Sequence, residues 1–157
     1  QEYRGQYIAG NLLSSAVYWH KLEPVKSSFK ASHGGDLITS EDIWFRPVDL
    51  MLGPDGCVYV ADWYDKRAAH LDPVDSWHKT SGRIYRIEYK GGPKYPTFDL
   101  RKKTPAELVE LLKSPNKWWR NEARRLLAER AAAGDTGFQA KLRKWLLTEK
   151  GQLALEA

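Results

Sequence analysis

Residues 46–62, RPVDLMLGPDGCVYVAD, decide how the first half of the chain reads. Two short apolar runs, 46–52 and 57–61, flank Gly53-Pro54-Asp55-Gly56. Pro fixes φ and Gly reaches positive φ, so the tetrapeptide is a tight turn and the runs are neighbouring strands. Residues 82–89 predict a third strand of the same unit. Cys57, the single cysteine, sits in the strand pattern and reads as a buried thiol.

Working outward, the pattern occurs twice. Residues 5–11 (GQYIAGN) and 56–62 (GCVYVAD) share a turn Gly, an apolar strand, a small residue and a final Asn or Asp. A second apolar run follows each, at 16–22 and at 83–89. The offset is 51 residues at the first strand, Gly5 to Gly56, and 67 at the second, Val17 to Ile84. The later unit therefore carries 16 extra residues between its strands. Residues 27–32 suit an outer strand of the earlier unit. Repeats near this length, built of several short strands, predict β-propeller blades.

Past Gly91-Gly92-Pro93 the period becomes helical. Thr104-Pro105-Ala106-Glu107 has an N-cap residue, Pro at the first helical position and a capping-box Glu. Leu108, Leu111 and Leu112 then share one face; Trp119, Ala123, Leu126 and Leu127 form a second stripe; Phe138, Leu142, Trp145 and Leu146 form a third. Residues 152–157 begin a fourth helical pattern. Short amphipathic helices with short turns predict an α-solenoid or a small bundle. The expected fold is therefore α and β in separate halves, with antiparallel propeller blades followed by an α-solenoid. Its divisions are 1–92 for the blades of an incomplete propeller, 93–103 for a linker, and 104–157 for truncated helical repeats.

Charge divides the same way. Residues 1–92 hold 11 Lys and Arg against 12 Asp and Glu; residues 93–157 hold 14 against 8. The basic half, with Arg120, Arg124 and Arg125, reads as a solvated helix face, and nucleic acid is not the expected partner. No apolar run is long enough to cross a membrane. The chain opens on Gln1 with strand pattern almost at once, which suits a piece of a longer protein.

Three blocks carry a family resemblance: WFRPVDL at 44–50, GPDG at 53–56 with YVADWY at 59–64, and GRIYRI at 82–87. They resemble the large planctomycete proteins labelled membrane-bound dehydrogenases, whose propeller is similar to quinone-dependent glucose/sorbosone dehydrogenases. The run ELVELL at 107–112, SPNKWWR at 114–120 and ARRLL at 123–127 resembles the first HEAT repeat after that propeller. The resemblance implies a periplasmic, secreted or cell-envelope location. As partners it implies the remaining blades, further HEAT repeats of the parent chain and a carbohydrate substrate. It also implies an oxidoreductase that uses pyrroloquinoline quinone and Ca²⁺, with haem c in a downstream domain, although no C-x-x-C-H motif occurs here. The piece alone is expected to be inactive.

Within a blade, the start of the inner strand and the end of the next lie on one face. Trp44, Phe45 and Arg46 should therefore meet the long 62–81 insert, which is rich in polar groups. Quinone-dependent sugar oxidation needs a base, cations facing the quinone and a hard-cation site. Placed on this face, His70 is the candidate base and Arg46 the candidate cation facing an anion or a quinone. Trp63, Tyr64 and Arg83 are candidate cofactor contacts, and Asp49 or Asp62 a candidate oxygen ligand of a hard cation. Each has a structural alternative: an Arg46–Asp49 ion pair, a turn role for Asp62, a surface place for His70, and stacking of Trp63, Tyr64 and Trp77 within the fold.

Overall fold

The computed structural model describes residues 3–68, 73–74, 78–91 and 97–148. The chain divides into two compact units, residues 1–51 with 57–90, and residues 52–56 with 91–157.

The first unit holds two antiparallel sheets of three strands each. One is β1 (Tyr7–Asn11), β2 (Ala16–Val25) and β3 (Ser28–Thr39); the other is β4 (Pro47–Leu52), β5 (Val58–Asp62) and β6 (Arg83–Ile87). Val17 from the first sheet meets Val60 from the second and Phe45 from the segment before β4 in one buried cluster. Ile8, Leu37, Ile38, Leu50, Val58 and Ile87 close around it. The sheets approach closely at Gly10: a Cβ there would lie 2.6 Å from the carbonyl oxygen of Pro47. The β5–β6 connection, residues 63–82, is 16 residues longer than the β1–β2 connection, residues 12–15, as the repeat offset requires.

In the second unit, Thr104 caps α1 (Pro105–Leu111), and its capping box with Glu107 is complete. Asn116 caps α2 (Lys117–Ala132), and α3 covers Gln139–Thr148. A 3₁₀ turn at Leu100–Lys102 precedes them. Leu100, Leu108, Val109, Leu112, Ala123, Leu126, Leu127 and Phe138 form one apolar cluster, with Leu142 and Trp145 of α3 packed against it. Residues 53–54 are held in this unit by hydrogen bonds. Asn116 Nδ2 donates to the Gly53 carbonyl at 2.9 Å, and Trp119 Nε1 donates to the Pro54 carbonyl at 2.9 Å. Trp119 also packs on Phe98, with ring centroids 4.6 Å apart.

The architecture corrects the expected fold class. Among the described residues, each sheet has three strands rather than the four of a propeller blade. The helices converge on one core instead of stacking as repeats that touch only their neighbours. The fold is a small α+β arrangement, not propeller blades followed by an α-solenoid. The repeat pattern had marked two similar hairpins, β1–β2 and β5–β6. Hairpin chemistry is local and does not determine how many strands join a sheet. Two smaller readings change as well: β3 runs to Thr39, and Cys57 is half-buried. The fourth helical pattern, residues 152–157, lies outside the described residues.

Candidate functional site

The site is built where β4 begins and β5 ends. Asp62, the last residue of β5, is buried, and its Oδ1 accepts from the backbone N–H groups of Arg46 and Tyr64, both at 2.9 Å. The Trp63 N–H donates back to the Arg46 carbonyl at 3.0 Å. This reciprocal clasp turns the chain sharply as it leaves the strand. Tyr64 is held at φ 54°, in the left-handed region that a side chain of this kind rarely occupies. Such strain persists only where surrounding contacts over-determine it, and it concentrates at functional sites.

Arg46 is 7% exposed and points inward. Its Nη1 donates to the Leu12 carbonyl at 3.0 Å, the Ser15 hydroxyl at 2.8 Å and the Phe45 carbonyl at 3.2 Å. Its Nη2 donates to the Lys66 carbonyl at 2.9 Å. The guanidinium thus ties the 63–82 loop to the β1–β2 turn. Asp65, 1% exposed, adds a second pin, its Oδ1 accepting from the Arg67 N–H at 2.9 Å.

The clasp presents a cluster of rings. Trp44 lies 5.7 Å from Tyr64, and His78 stands edge-on to Trp44 at 6.3 Å. His78 is 6.5 Å from Tyr64, and Arg83 stacks over the Tyr64 ring at 5.4 Å. Asp42 supports the cluster, its Oδ1 accepting from the Trp44 N–H at 2.9 Å. Hydrogen-bonding interaction with the Asp42 side chain, with lesser contributions from burial and the Asp42 charge, raises the Tyr64 phenol above its ordinary range. Ser81 holds the far side, its hydroxyl bonded to His78 Nδ1 and its carbonyl accepting from Arg83 Nη1 at 3.1 Å. Trp63, 44% exposed, follows the clasp.

Of the expected site residues, Tyr64 and Arg83 come together, joined by Trp44 and His78. Arg46 sits beneath them with its donors aimed at protein carbonyls. Asp49 stands exposed on β4, its Oδ1 accepting from the Leu50 N–H at 2.9 Å, so it shares no ion pair with Arg46 and no ligand set with Asp62. His70 and Trp77 lie outside the described residues. Asp42 was not foreseen: an exposed carboxylate in a loop has no distinguishing sequence mark until its partners are known.

Among the described residues, no complete ligand set for the implied cofactors is assembled. Asp62 has one buried oxygen without a hydrogen-bond partner among the described residues, and Asp65 has another. Yet no three His, Cys, Asp or Glu side chains converge there on a common point, as Ca²⁺ with its six to eight oxygen ligands requires. Arg46 donates to the carbonyls of Leu12 and Lys66. What the arrangement offers is a half-buried aromatic surface bordered by a guanidinium, an imidazole and hydroxyls.

A two-sheet domain with a clasped aromatic loop is the class that fold and site define. The chain belongs to the family described as a domain of unknown function (DUF7133), whose model matches residues 1–91. The match covers the sheet unit and ends where the helical unit resumes. No curated protein and no solved structure matches the chain. Among the described residues, no helix is long and apolar enough to cross a membrane.

Proposed function

We propose that the Trp44–Tyr64–His78–Arg83 surface is a saccharide-binding site, non-catalytic by itself, within a longer cell-envelope protein. The observation that carries this reading is the ring cluster itself. Aromatic faces carry negative quadrupoles that attract the polarised C–H face of a sugar ring. Arg83, His78 and the Tyr64 hydroxyl border that surface with groups suited to sugar hydroxyls. The strained Tyr64 backbone and the buried Arg46 and Asp62 hold the surface rigid before any ligand arrives, which lowers the ordering cost of binding.

The blocks at 44–50, 53–64 and 82–87 support a second reading, in which the longer protein oxidises the bound sugar with a quinone. There this chain contributes substrate contact, and the quinone, Ca²⁺ and haem c belong to other parts of that protein. One experiment addresses both. The longest available form of the protein is titrated against a panel of oligosaccharides, then assayed with added quinone and Ca²⁺. Saturable binding weakened about tenfold or more by Trp44→Ala, roughly 1.4 kcal/mol, supports the site. Turnover in the second step supports the oxidative reading. Absence of binding across the panel, or full affinity in Trp44→Ala, overturns the saccharide site.

A further inference from the structure

Arg83 gives the ring cluster a charge at its border. It opens β6 and is exposed. The β5–β6 register sets it directly opposite Asp62, the position from which opposite charges pair across strands. That pair does not form. Asp62 is buried, and its Oδ1 accepts from the Arg46 and Tyr64 N–H groups. The Arg83 guanidinium lies instead over the Tyr64 ring at 5.4 Å, and its Nη1 donates to the Ser81 carbonyl at 3.1 Å. Among the described residues Arg83 has no carboxylate partner, and its Nε and Nη2 make no hydrogen bond. Asp42 is engaged elsewhere: its Oδ1 accepts from the Trp44 N–H, and its side chain interacts with Tyr64.

A guanidinium stacked on a ring keeps its N–H edge available. That planar fork matches a carboxylate or a sulfate through two parallel hydrogen bonds. Charge-assisted bonds of this kind are roughly twice as strong as neutral ones. A sugar that rests on the rings and bears an exocyclic anion meets both features at once. Its C–H face lies on the aromatic faces, and its anion meets the fork. A neutral sugar makes the first contact and leaves the Arg83 charge unanswered. Ring and guanidinium adjoin each other, so both contacts fall within the span of one sugar.

We propose that the Trp44–Tyr64–His78–Arg83 surface selects acidic saccharides, those with an exocyclic carboxylate or sulfate, and that Arg83 is the residue that reads the anion. The inference rests on the saccharide reading above and narrows it to one class of ligand.

The test titrates the full chain calorimetrically with hexagalacturonate, with its fully methyl-esterified form and with a sulfated hexasaccharide derived from heparin. The ester keeps the galacturonate backbone and removes its charge. At low salt at least one anionic ligand should bind about tenfold or more tighter than the ester. The gap should narrow as salt rises, because the added contact is ionic. Whichever anionic ligand binds tighter identifies the group that Arg83 reads. Arg83→Gln should bring the anion-to-ester affinity ratio close to unity, and Arg83→Lys should keep part of it. The ratio is taken within each variant, so it does not depend on how much of a variant folds. Trp44→Ala should weaken anionic ligand and ester by the same factor. An ester that binds as tightly as both anionic ligands overturns this inference and leaves the saccharide site standing. A ratio that survives Arg83→Gln overturns the role of Arg83. Anion binding untouched by Trp44→Ala, or no binding of any of the three ligands, sinks the saccharide reading and this inference with it.

Discussion

The two units solve burial in opposite ways. The helical unit buries eight apolar side chains in one cluster, and none of the buried polar or charged side chains among the described residues belongs to it. Several of its charges pair at the surface, as where Arg125 sits between Glu122 and Glu129. The sheet unit has a smaller fully buried cluster, Val17, Phe45 and Val60, and buries Ser15, Arg46, Asp62 and Asp65 as well. Burying a charge is costly unless its partners are in place, and here the partners are mostly backbone groups of turns and loops. The contrast teaches what each unit's interior does. Apolar packing holds helices together without regard to direction, whereas buried hydrogen bonds fix where a loop goes and which rings it displays.

The largest expected effect follows from that contrast. Arg46→Met keeps an apolar stem but leaves the Leu12, Phe45 and Lys66 carbonyls and the Ser15 hydroxyl without their donor. At about 1–3 kcal/mol for each buried polar group left unsatisfied, and with the more exposed acceptors turning to water, the loss should be about 4 kcal/mol. Hydrogen exchange resolved by segment is the appropriate measurement, because two units need not unfold together. Protection should fall across β1, β2, β4 and β5 and persist in α1 and α2. A loss below about 1 kcal/mol would mean that the guanidinium network is incidental and would break the comparison.

Much of this was legible in the residues, and the boundary of legibility is physical. Turn and cap chemistry acts over a few residues, so residues 46–52 and 57–61 were read nearly as they form, and the Thr104–Glu107 box was read in full. The second strand of each hairpin came from its apolar run, and the long 63–82 connection from the repeat offset. Non-local arrangement was not legible. Strand β3 continues through Gly34-Gly35, a pair that reads as a breaker, because Trp19 lies across it: a Cβ on Gly34 would fall 2.5 Å from the indole. Arg46 was recognisable as a cation near the site, but its acceptors are main-chain carbonyls, which every residue carries, so nothing in the sequence showed that it points inward. Asp42 was hidden for the same reason. The sheet count failed because strand pairing depends on partners far along the chain.

The middle effect tests the helical unit by its own rule. Leu108 is wholly buried in the apolar cluster. Leu108→Ala removes the transfer energy of its branched end and leaves a cavity, for an expected loss of about 3 kcal/mol. Helical circular dichroism against urea should show the midpoint falling, while the exchange protection of the sheet unit stays unchanged. Equal loss of protection in both units would show that they unfold as one, which would sharpen the comparison into a statement about interiors only.

The smallest effect asks whether a polar deletion matters as much in the helical unit as in the sheet unit. Thr104 and Glu107 are exposed, and their bonds are local: Glu107 Oε2 accepts from the Thr104 N–H at 2.7 Å and from its hydroxyl at 2.8 Å. The Thr104 N–H first, then its hydroxyl and Lys103, hold the Glu107 carboxyl below its ordinary value. A carboxyl lowered on folding contributes stability that is present above its unfolded pKa, about 4.3, and is lost as pH falls through the folded value. Thr104→Ala should cost about 1 kcal/mol at neutral pH, as loss of an N-cap does. It should also make the acid side of the stability curve slightly less steep below about pH 5, because Glu107 loses the hydroxyl donor while the residue-104 N–H and Lys103 remain. The measurement is urea unfolding of both forms across that range. Water reaches every group this substitution exposes, so the penalty stays near a quarter of that expected for Arg46→Met. A Thr104→Ala loss as large as the Arg46→Met loss would show that burial is not what separates the two units.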